Sequence, residues 1–555
     1  MSTDGWVQGR LFGLSAGAET QCAESLEMKI QTEPALIALC LALIDPAERL
    51  TAPERELVRT ATGLMNGPVG VDAIRALIRE GGDPLGELFS AIRSAAVRRT
   101  SGAVYTPPSI VKSMLTWLST QGQPARVVDP GAGSGRFLLA AGVHFPKAQL
   151  IAVEMDPLAA LMLRANLHAR GWAGRAQVMV KDYREVKLPR IAGTTAFVGN
   201  PPYVRHHGIA ADWKAWYASK FAEFGIKASA LAGLHLHFFL QTRLLAKPGD
   251  LGAFVTSAEW LDVNYGAALR RLLVEELGGV ALHVLEPTVE AFPGTATTGA
   301  ITCFRMGETD SPIRVRSVGG LAVLNGLSGG TGVARDELLA TSRWSSVIRP
   351  SASASAGSIE LGELFRVHRG QVTGANSIWI DDGHAVGLPD QVKLPAVTRA
   401  TDLIQAGAHL RTADVLRRVI DLPADLDDFT AEEKGRIAAF LAWAKLQGAD
   451  QGYVARHRRA WWSVGLKKPA PILCTYMARR PPQFTLNICG ARHINIAHGL
   501  YPREPLSAQA MSQLVAWLNK NVNTAGGRSY AGGLTKFEPK EIERLRIPKL
   551  EDLLS

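Results

Sequence analysis

Cysteine is scarce in this 555-residue sequence: Cys22, Cys40, Cys303, Cys474 and Cys489 are scattered, and no two form a CxxC pair. That scatter excludes a disulfide-stapled scaffold and argues for incidental or buried thiols in a reducing compartment. No apolar run reaches the roughly 20 residues needed to cross a bilayer. The polar opening MSTDGWVQGR has neither a signal-peptide core nor a small-residue cleavage site. The expectation is a protein of the cell interior with no membrane partner. Histidine gives no metal site either: His235 and His237, the most suggestive pair, lie two apart and would point to different sides of a helix. Acid is missing from one long stretch. Between Gln451 and Arg503 there is no Asp or Glu, against Arg456, Arg458, Arg459, Lys467, Lys468, Arg479, Arg480, Arg492 and Arg503. The net charge of +10 is therefore concentrated toward the C-terminus, which suits an anionic partner.

What is present reads as globular protein, 47% hydrophobic and 20% charged. The length suggests roughly two to four domains. Residues 20–95 carry apolar positions at helical spacing, as in ALIALCLALI and DAIRALIREG. Short strand-like runs follow (RVVDP, LIAVE, QVMVKD, TAFVGN, LGAFVTS, VALHVLE, GAITCFRM), alternating with helical stretches such as PLAALMLRANLHA. That alternation predicts an α/β domain with a parallel sheet covered by helices on both faces. SGGTG and SASASAG mark a looser connection. The expected plan is a helical N-terminal segment at 1–95, a catalytic α/β domain at 96–310, a linker at 311–360, and a mixed α+β basic domain at 361–555.

The strand Arg126-Val127-Val128 runs into Asp129-Pro130-Gly131-Ala132-Gly133-Ser134-Gly135, with a helix starting at Arg136. Glycines let the backbone turn tightly and approach a ligand, and the helix N-terminus adds polarised N–H groups. Glu154 ends the next strand about twenty residues on, where an acid can accept from both hydroxyls of a ribose. Asp182 ends the third strand and can reach an adenine amine, with Tyr183 as an apolar wall. Upstream, Tyr105-Thr106-Pro107-Pro108 opens a helix, with Thr106 expected as its cap. Asp129 at the first strand's end departs from the GxGxxG dinucleotide fingerprint, which favours S-adenosylmethionine over NAD as cofactor.

The fourth strand delivers Asn200-Pro201-Pro202-Tyr203 at its carboxyl end, where open α/β sheets bind ligands. An amine conjugated to an aromatic ring is a poor nucleophile because its lone pair is delocalised. If the Asn200 side-chain oxygen and the Pro201 carbonyl accept its two hydrogens, the nitrogen can pyramidalise toward an electrophilic methyl. The two prolines stiffen the loop and preorganise those acceptors. Tyr203 offers a ring for an extruded base.

In SGAVYTPPSIV, VVDPGAGSGRFL and FVGNPPYV the sequence resembles the γ-class, TaqI-type adenine-N6 DNA methyltransferases of restriction-modification systems, from about Ser101 to the C-terminus. The resemblance implies a class I, Rossmann-like S-adenosylmethionine-dependent methyltransferase fold followed by a target recognition domain. It implies Tyr105 and Thr106 near the methionine moiety, and Asp129, Gly131, Gly133 and Gly135 around the cofactor. Glu154, with Met155 beside it, would meet the ribose, and Asp182 with Tyr183 the adenine. Phe292, in VEAFPGTATTG, sits where the family places an aromatic against the target base.

Double-stranded DNA is the partner the resemblance implies, and it leaves room for a separate restriction endonuclease. In the acid-free stretch, Tyr453, Trp461, Trp462 and Tyr476 interleave with the cations, the pairing expected for phosphate contacts and for packing beside sugar or base. The expected function is transfer of a methyl group to the N6 amine of a flipped-out adenine by a monomer in the bacterial cytoplasm, associated with the nucleoid. The competing readings are an RNA base methyltransferase, a protein glutamine methyltransferase, and a DNA-binding modification subunit that depends on partners.

Overall fold

The structure is a computed structural model and describes residues 30–64, 70–93, 106–286, 289, 298–348, 358–478, 480–523, 527–530 and 534–554. Tyr105, Phe292 and Arg479 lie outside the described residues. The chain divides into two compact units, Met1–Ile348 and Arg349–Ser555.

The first unit is built on a nine-stranded sheet of order β3-β2-β1-β4-β5-β7-β6-β8-β9. Its strands are β1 (Arg126–Pro130), β2 (Gln149–Glu154), β3 (Ala176–Val180), β4 (Thr195–Gly199), β5 (Leu251–Ser257), β6 (Gly279–Leu285), β7 (Gly299–Arg305), β8 (Ile313–Val318) and β9 (Thr331–Val333). All seven runs singled out in the sequence as strand-like, RVVDP through GAITCFRM, are strands. β1 to β5 pair parallel, whereas β7 runs antiparallel between β5 and β6. Strand order reverses at β1–β4, and ligands of open α/β sheets bind at the carboxyl ends beside such a reversal. β1, β4 and β5 are buried at every position, as expected of central strands covered on both faces.

The linker expectation for 311–360 is corrected in its first part. Ile313, Val315 and Val318 are buried, so β8 extends the sheet from the parallel edge of β6, and β9 closes against β8. The Gly- and Ser-rich look of that stretch comes from the turn between β8 and β9, where Gly329 and Gly330 adopt φ of 85° and 103°.

The N-terminal helices are α1 (Glu33–Leu43), α2 (Ala52–Ala61), α3 (Val71–Glu80) and α4 (Pro84–Ile92). They bury Leu36, Leu39, Ile74, Ile78, Leu85 and Leu88 against Leu158, Leu161, Met162 and Ala165 of α7 (Pro157–Ala169). Side chains of this size each contribute roughly 1.5–3 kcal/mol when fully buried, so the helices are held against α7 by a hydrophobic cluster of their own. Polar bonds fix the register: Arg164 of α7 donates to the buried Glu54 at 2.6 Å and to Glu48 at 2.6 Å. The remaining helices next to the sheet's reversal are α5 (Pro108–Gln121), α6 (Arg136–His144), α8 (Ala211–Ala222) and α9 (Leu234–Leu245).

The second unit is mixed α+β. Phe365–Arg369, Ala497–Pro502, Ile472–Thr475, Phe484–Asn487 and His409–Leu410 form a five-stranded sheet in that order. A helix at Ala431–Leu446 starts at Thr430, whose hydroxyl accepts from Glu433 N while the Glu433 carboxylate accepts from Thr430 N, a reciprocal capping box. Its buried face packs with Trp379, Leu422 and Val464, against which Trp461 and Trp462 are laid half-buried.

Candidate active site at the sheet reversal

A cavity of about 470 Å³ opens at the carboxyl ends of β1, β2 and β4, in the range usual for small-molecule sites. Of the residues expected there from sequence, Thr106, Gly131, Gly133, Glu154, Met155, Asp182, Tyr183, Asn200 and Pro202 line it. The turn after β1 is the floor. Gly131 and Gly133 have φ of 75° and 56°, and a Cβ on Gly131 would stand 3.2 Å from Pro202 Cδ, so the two loops touch only because that position is glycine.

Glu154 organises this floor. Its Oε2 accepts from Gly133 N at 2.8 Å, and its Oε1 from Met155 N and Asp156 N at 2.8 and 2.9 Å. Burial nevertheless pushes its carboxyl above the ordinary range, because the backbone donors only partly offset desolvation. Asp182 is held differently. Arg184 grips both its oxygens, with Nη2 at 2.6 Å from Oδ2, and the same guanidinium lies 3.9 Å above the Trp213 ring. Tyr183 is buried, its hydroxyl 3.0 Å from Thr242 Oγ1 and its ring 5.0 Å from that of Phe238.

Asn200 follows β4 directly. Its amide nitrogen donates to Thr106 Oγ1 at 3.0 Å. Thr106 was expected as the cap of the helix that opens there; the cap position is Pro107, and the threonine hydroxyl is turned instead to Asn200. Gly199, just before Asn200, lets β4 lie close against Asp129, since a Cβ there would stand 2.7 Å from Asp129 Oδ1. Asp129 itself is fully buried behind the floor: Oδ2 accepts from Leu138 N at 3.2 Å, and Oδ1 has no hydrogen-bond partner among the described residues. Burial therefore holds its carboxyl well above the usual carboxylate range.

Four expected site residues stand outside the lining. Asp129 acts from beneath, and the buried Pro201 follows Asn200 without reaching the cavity surface. Gly135, with φ of 96°, lets α6 approach α7, since a Cβ would meet Leu163 Cδ1 at 2.2 Å. Tyr203 leans inward on the hydrophobic core, its ring edge-on to His235 at 5.9 Å, rather than facing the cavity. His235 and His237 both occur on α9. Burial lowers their pKa values to about 4 and about 3, and His237 stacks on Tyr217 at 4.2 Å, so both are neutral packing groups.

Sequence reasoning missed Phe89, Arg136, Arg184, Trp213 and Phe238, which also line the cavity. Arg184 was two residues from Asp182, a spacing that could have raised it. Phe89 and Trp213 come from helices whose packing no local pattern discloses.

In the second unit, Arg456, Arg459, Lys467, Lys468 and Arg480 are exposed. Arg458 is instead half-buried and donates to Val372 O and Thr373 O at 2.6 and 3.1 Å. Trp462 Nε1 donates to Pro423 O at 3.0 Å, and Tyr476 is buried beneath Arg369.

The sequence matches the family described as Eco57I restriction-modification methylase over residues 190–278, and that described as type II methyltransferase M.Eco57I, C-terminal domain, over 343–555. It is 72% identical to the type II methyltransferase M.XamI of Xanthomonas campestris pv. amaranthicola, across 95% of this chain and 100% of that protein. Identity to the type II methyltransferase M.PaeR7I of Pseudomonas aeruginosa is 24%, over 81% of this chain and 86% of the relative. Among solved structures, the type IIG restriction endonuclease BpuSI aligns with 98% of this chain and 75% of its own, at 17% identity and a TM-score of 0.46.

Proposed function

The chain belongs to the type II DNA methyltransferases of restriction-modification systems, and from that premise we propose that it methylates the N6 amine of an adenine extruded from duplex DNA, with S-adenosylmethionine as donor. The observation that carries this reading is that Asn200, bonded to Thr106, lines a cavity whose floor is the Gly131–Ser134 turn.

The cavity's residues fit that donor. Glu154 presents a half-buried carboxyl at the cavity, to which the two hydroxyls of a ribose can donate. Asp182 is an acceptor suited to an adenine amine, and Tyr183, Phe238 and Phe89 supply apolar walls for a purine. Bound there, S-adenosylmethionine supplies a methyl group on a sulfonium, which needs a nucleophile in line and no covalent enzyme intermediate.

The chain's own residues supply orientation. Because the Asn200 amide nitrogen is the donor to Thr106, the side chain's acceptor is the oxygen that the target amine requires. Asn200 Oδ1 draws one of the amine's hydrogens out of conjugation with the ring and turns its lone pair toward the methyl group; the buried Pro201 does not line the cavity and supplies no acceptor as it stands. This stabilisation grows toward the transition state, where the nitrogen gains positive charge, so it acts on kcat more than on affinity. The exposed cations of the second unit suit the phosphate backbone, which supplies sequence-independent affinity.

The test is transfer of tritium from labelled S-adenosylmethionine to unmethylated genomic DNA, with bulk RNA and cell protein as parallel acceptors, followed by digestion to nucleosides. Label in N6-methyl-2′-deoxyadenosine from the DNA is the expected result. Label in another base, or only in RNA or protein, overturns the substrate assignment. Asn200→Ala should lower kcat by roughly 10²–10³-fold with cofactor affinity little changed.

A further inference from the structure

The N-terminal helices lie outside the sheet, yet one of their side chains reaches the floor of the cavity. Asp83 is the N-cap of α4, and its Oδ1 accepts from Gly86 N at 3.1 Å. Its other oxygen, Oδ2, accepts from Ser134 Oγ at 2.7 Å and from Arg136 Nε at 2.7 Å. Ser134 and Arg136 are the end of the glycine turn and the first residue of α6, and both line the cavity. A cap alone needs one oxygen and a nearby backbone; this carboxylate is buried across two elements and divides its oxygens between them.

The contact continues. Arg136 Nη1 donates to the carbonyl of Thr106 at 3.3 Å, and the hydroxyl of Thr106 accepts from Asn200. Gly86 is required for the geometry, since a Cβ on it would lie 2.3 Å from Asp83 Oδ2. From the same helix Phe89 forms part of the cavity wall. A second tie falls beside Glu154: Arg93, just past α4, bridges Glu33 of α1 and Asp156.

We infer that Asp83 is a positioning residue of the cofactor site, through which the N-terminal helices hold the glycine turn and the Thr106–Asn200 pair in place. This rests on the reading of the cavity as an S-adenosylmethionine site. Docking of the helices and occupancy of the cavity are then linked equilibria, and each strengthens the other by the same factor.

The experiment uses the full chain and S-adenosylhomocysteine, the demethylated product, as probe. In calorimetry, Asp83→Asn should weaken binding by about tenfold, the loss of one charge-assisted interaction, while unfolding stays cooperative because asparagine caps as well as aspartate. Its kcat at saturating cofactor should also fall, through Arg136 and Thr106. Glu56→Gln, on the exposed side of α2, should match the wild type in both. In the wild type, saturation with the probe should slow amide exchange across residues 84–92. Wild-type affinity and kcat in Asp83→Asn overturn the inference. If that variant fails to fold, unchanged exchange at 84–92 in the wild type overturns it, and slowed exchange supports it. A wild type that binds no probe brings down the cofactor reading itself, a different failure.

Discussion

The amide nitrogen of Asn200 lies 3.0 Å from the hydroxyl oxygen of Thr106, joining the residue after β4 to the residue before the cap of α5. The bond fixes which way the amide faces. Thr106→Val keeps the shape and removes that acceptor, so the hold on the amide is loosened. A net hydrogen bond of about 0.5–1.5 kcal/mol corresponds to a fall in kcat of roughly two- to thirteenfold. The dissociation constant for S-adenosylhomocysteine should move much less. Steady-state kinetics with calorimetry on the same variant separates the two, and an equal loss in both would show that Thr106 serves the cofactor instead.

Gly199 is the steric counterpart of that bond. Gly199→Ala places a methyl 2.7 Å from Asp129 Oδ1, on a strand buried at every position. The backbone before Asn200 has to shift, with a cost in stability of about 1–3 kcal/mol for overpacking. Urea denaturation should show a lower midpoint, and kcat should fall further than stability alone accounts for, because the shift is delivered to the catalytic loop. A normal kcat in a destabilised variant would uncouple Gly199 from Asn200.

The buried carboxyl of Asp129 gives a pH signature. Its folded pKa stands well above the ordinary 3.8, so between those values the folded state holds a proton that the unfolded chain has released. Stability then falls as pH rises from about 3.8 through the folded pKa, the opposite of a salt-bridged carboxylate. Glu154 adds to the same trend above its ordinary 4.5. Asp129→Asn removes the Asp129 part. Urea midpoints measured from pH 5 upward should fall less steeply in the variant than in the wild type, and parallel slopes would place the Asp129 pKa near its ordinary value.

How much of this was legible in the sequence differs by element. The seven strands and the glycine turn could be read because their signals are local: apolar runs of four to seven residues, then glycines at a strand end. Glu154 followed from counting to the end of β2, while Asp182, expected as the end of the third strand, stands two residues past β3. The orientation of Tyr203 could not be read, because whether the ring faces a base or the core depends on His235, thirty-two positions away on α9. Nor could the part played by Asp83, because its bonds to Ser134 and Arg136 span 51 and 53 residues. The acid-free stretch was legible as charge and not as surface: Arg458 looks like its neighbours in sequence, yet serves two backbone carbonyls.

That last difference separates two kinds of variant in the second unit. Arg456 and Arg459 are exposed, so replacing either by alanine should leave the urea midpoint unchanged. If either meets a phosphate, the slope of log K for DNA against log salt should become shallower by about one, with affinity falling alike on cognate and unrelated duplexes. Trp461 packs its ring 6.2 Å from that of Trp379 in the cluster beneath the Ala431–Leu446 helix. Trp461→Ala should therefore cost up to about 3 kcal/mol of stability for a half-buried ring, seen as a lower urea midpoint, and leave the salt slope of the folded protein unchanged. A variant of Trp461 with normal stability and weakened DNA binding would reverse that assignment and make the ring a contact to nucleic acid. An unchanged salt slope in both arginine variants would move the phosphate contacts to Lys467, Lys468 and Arg480.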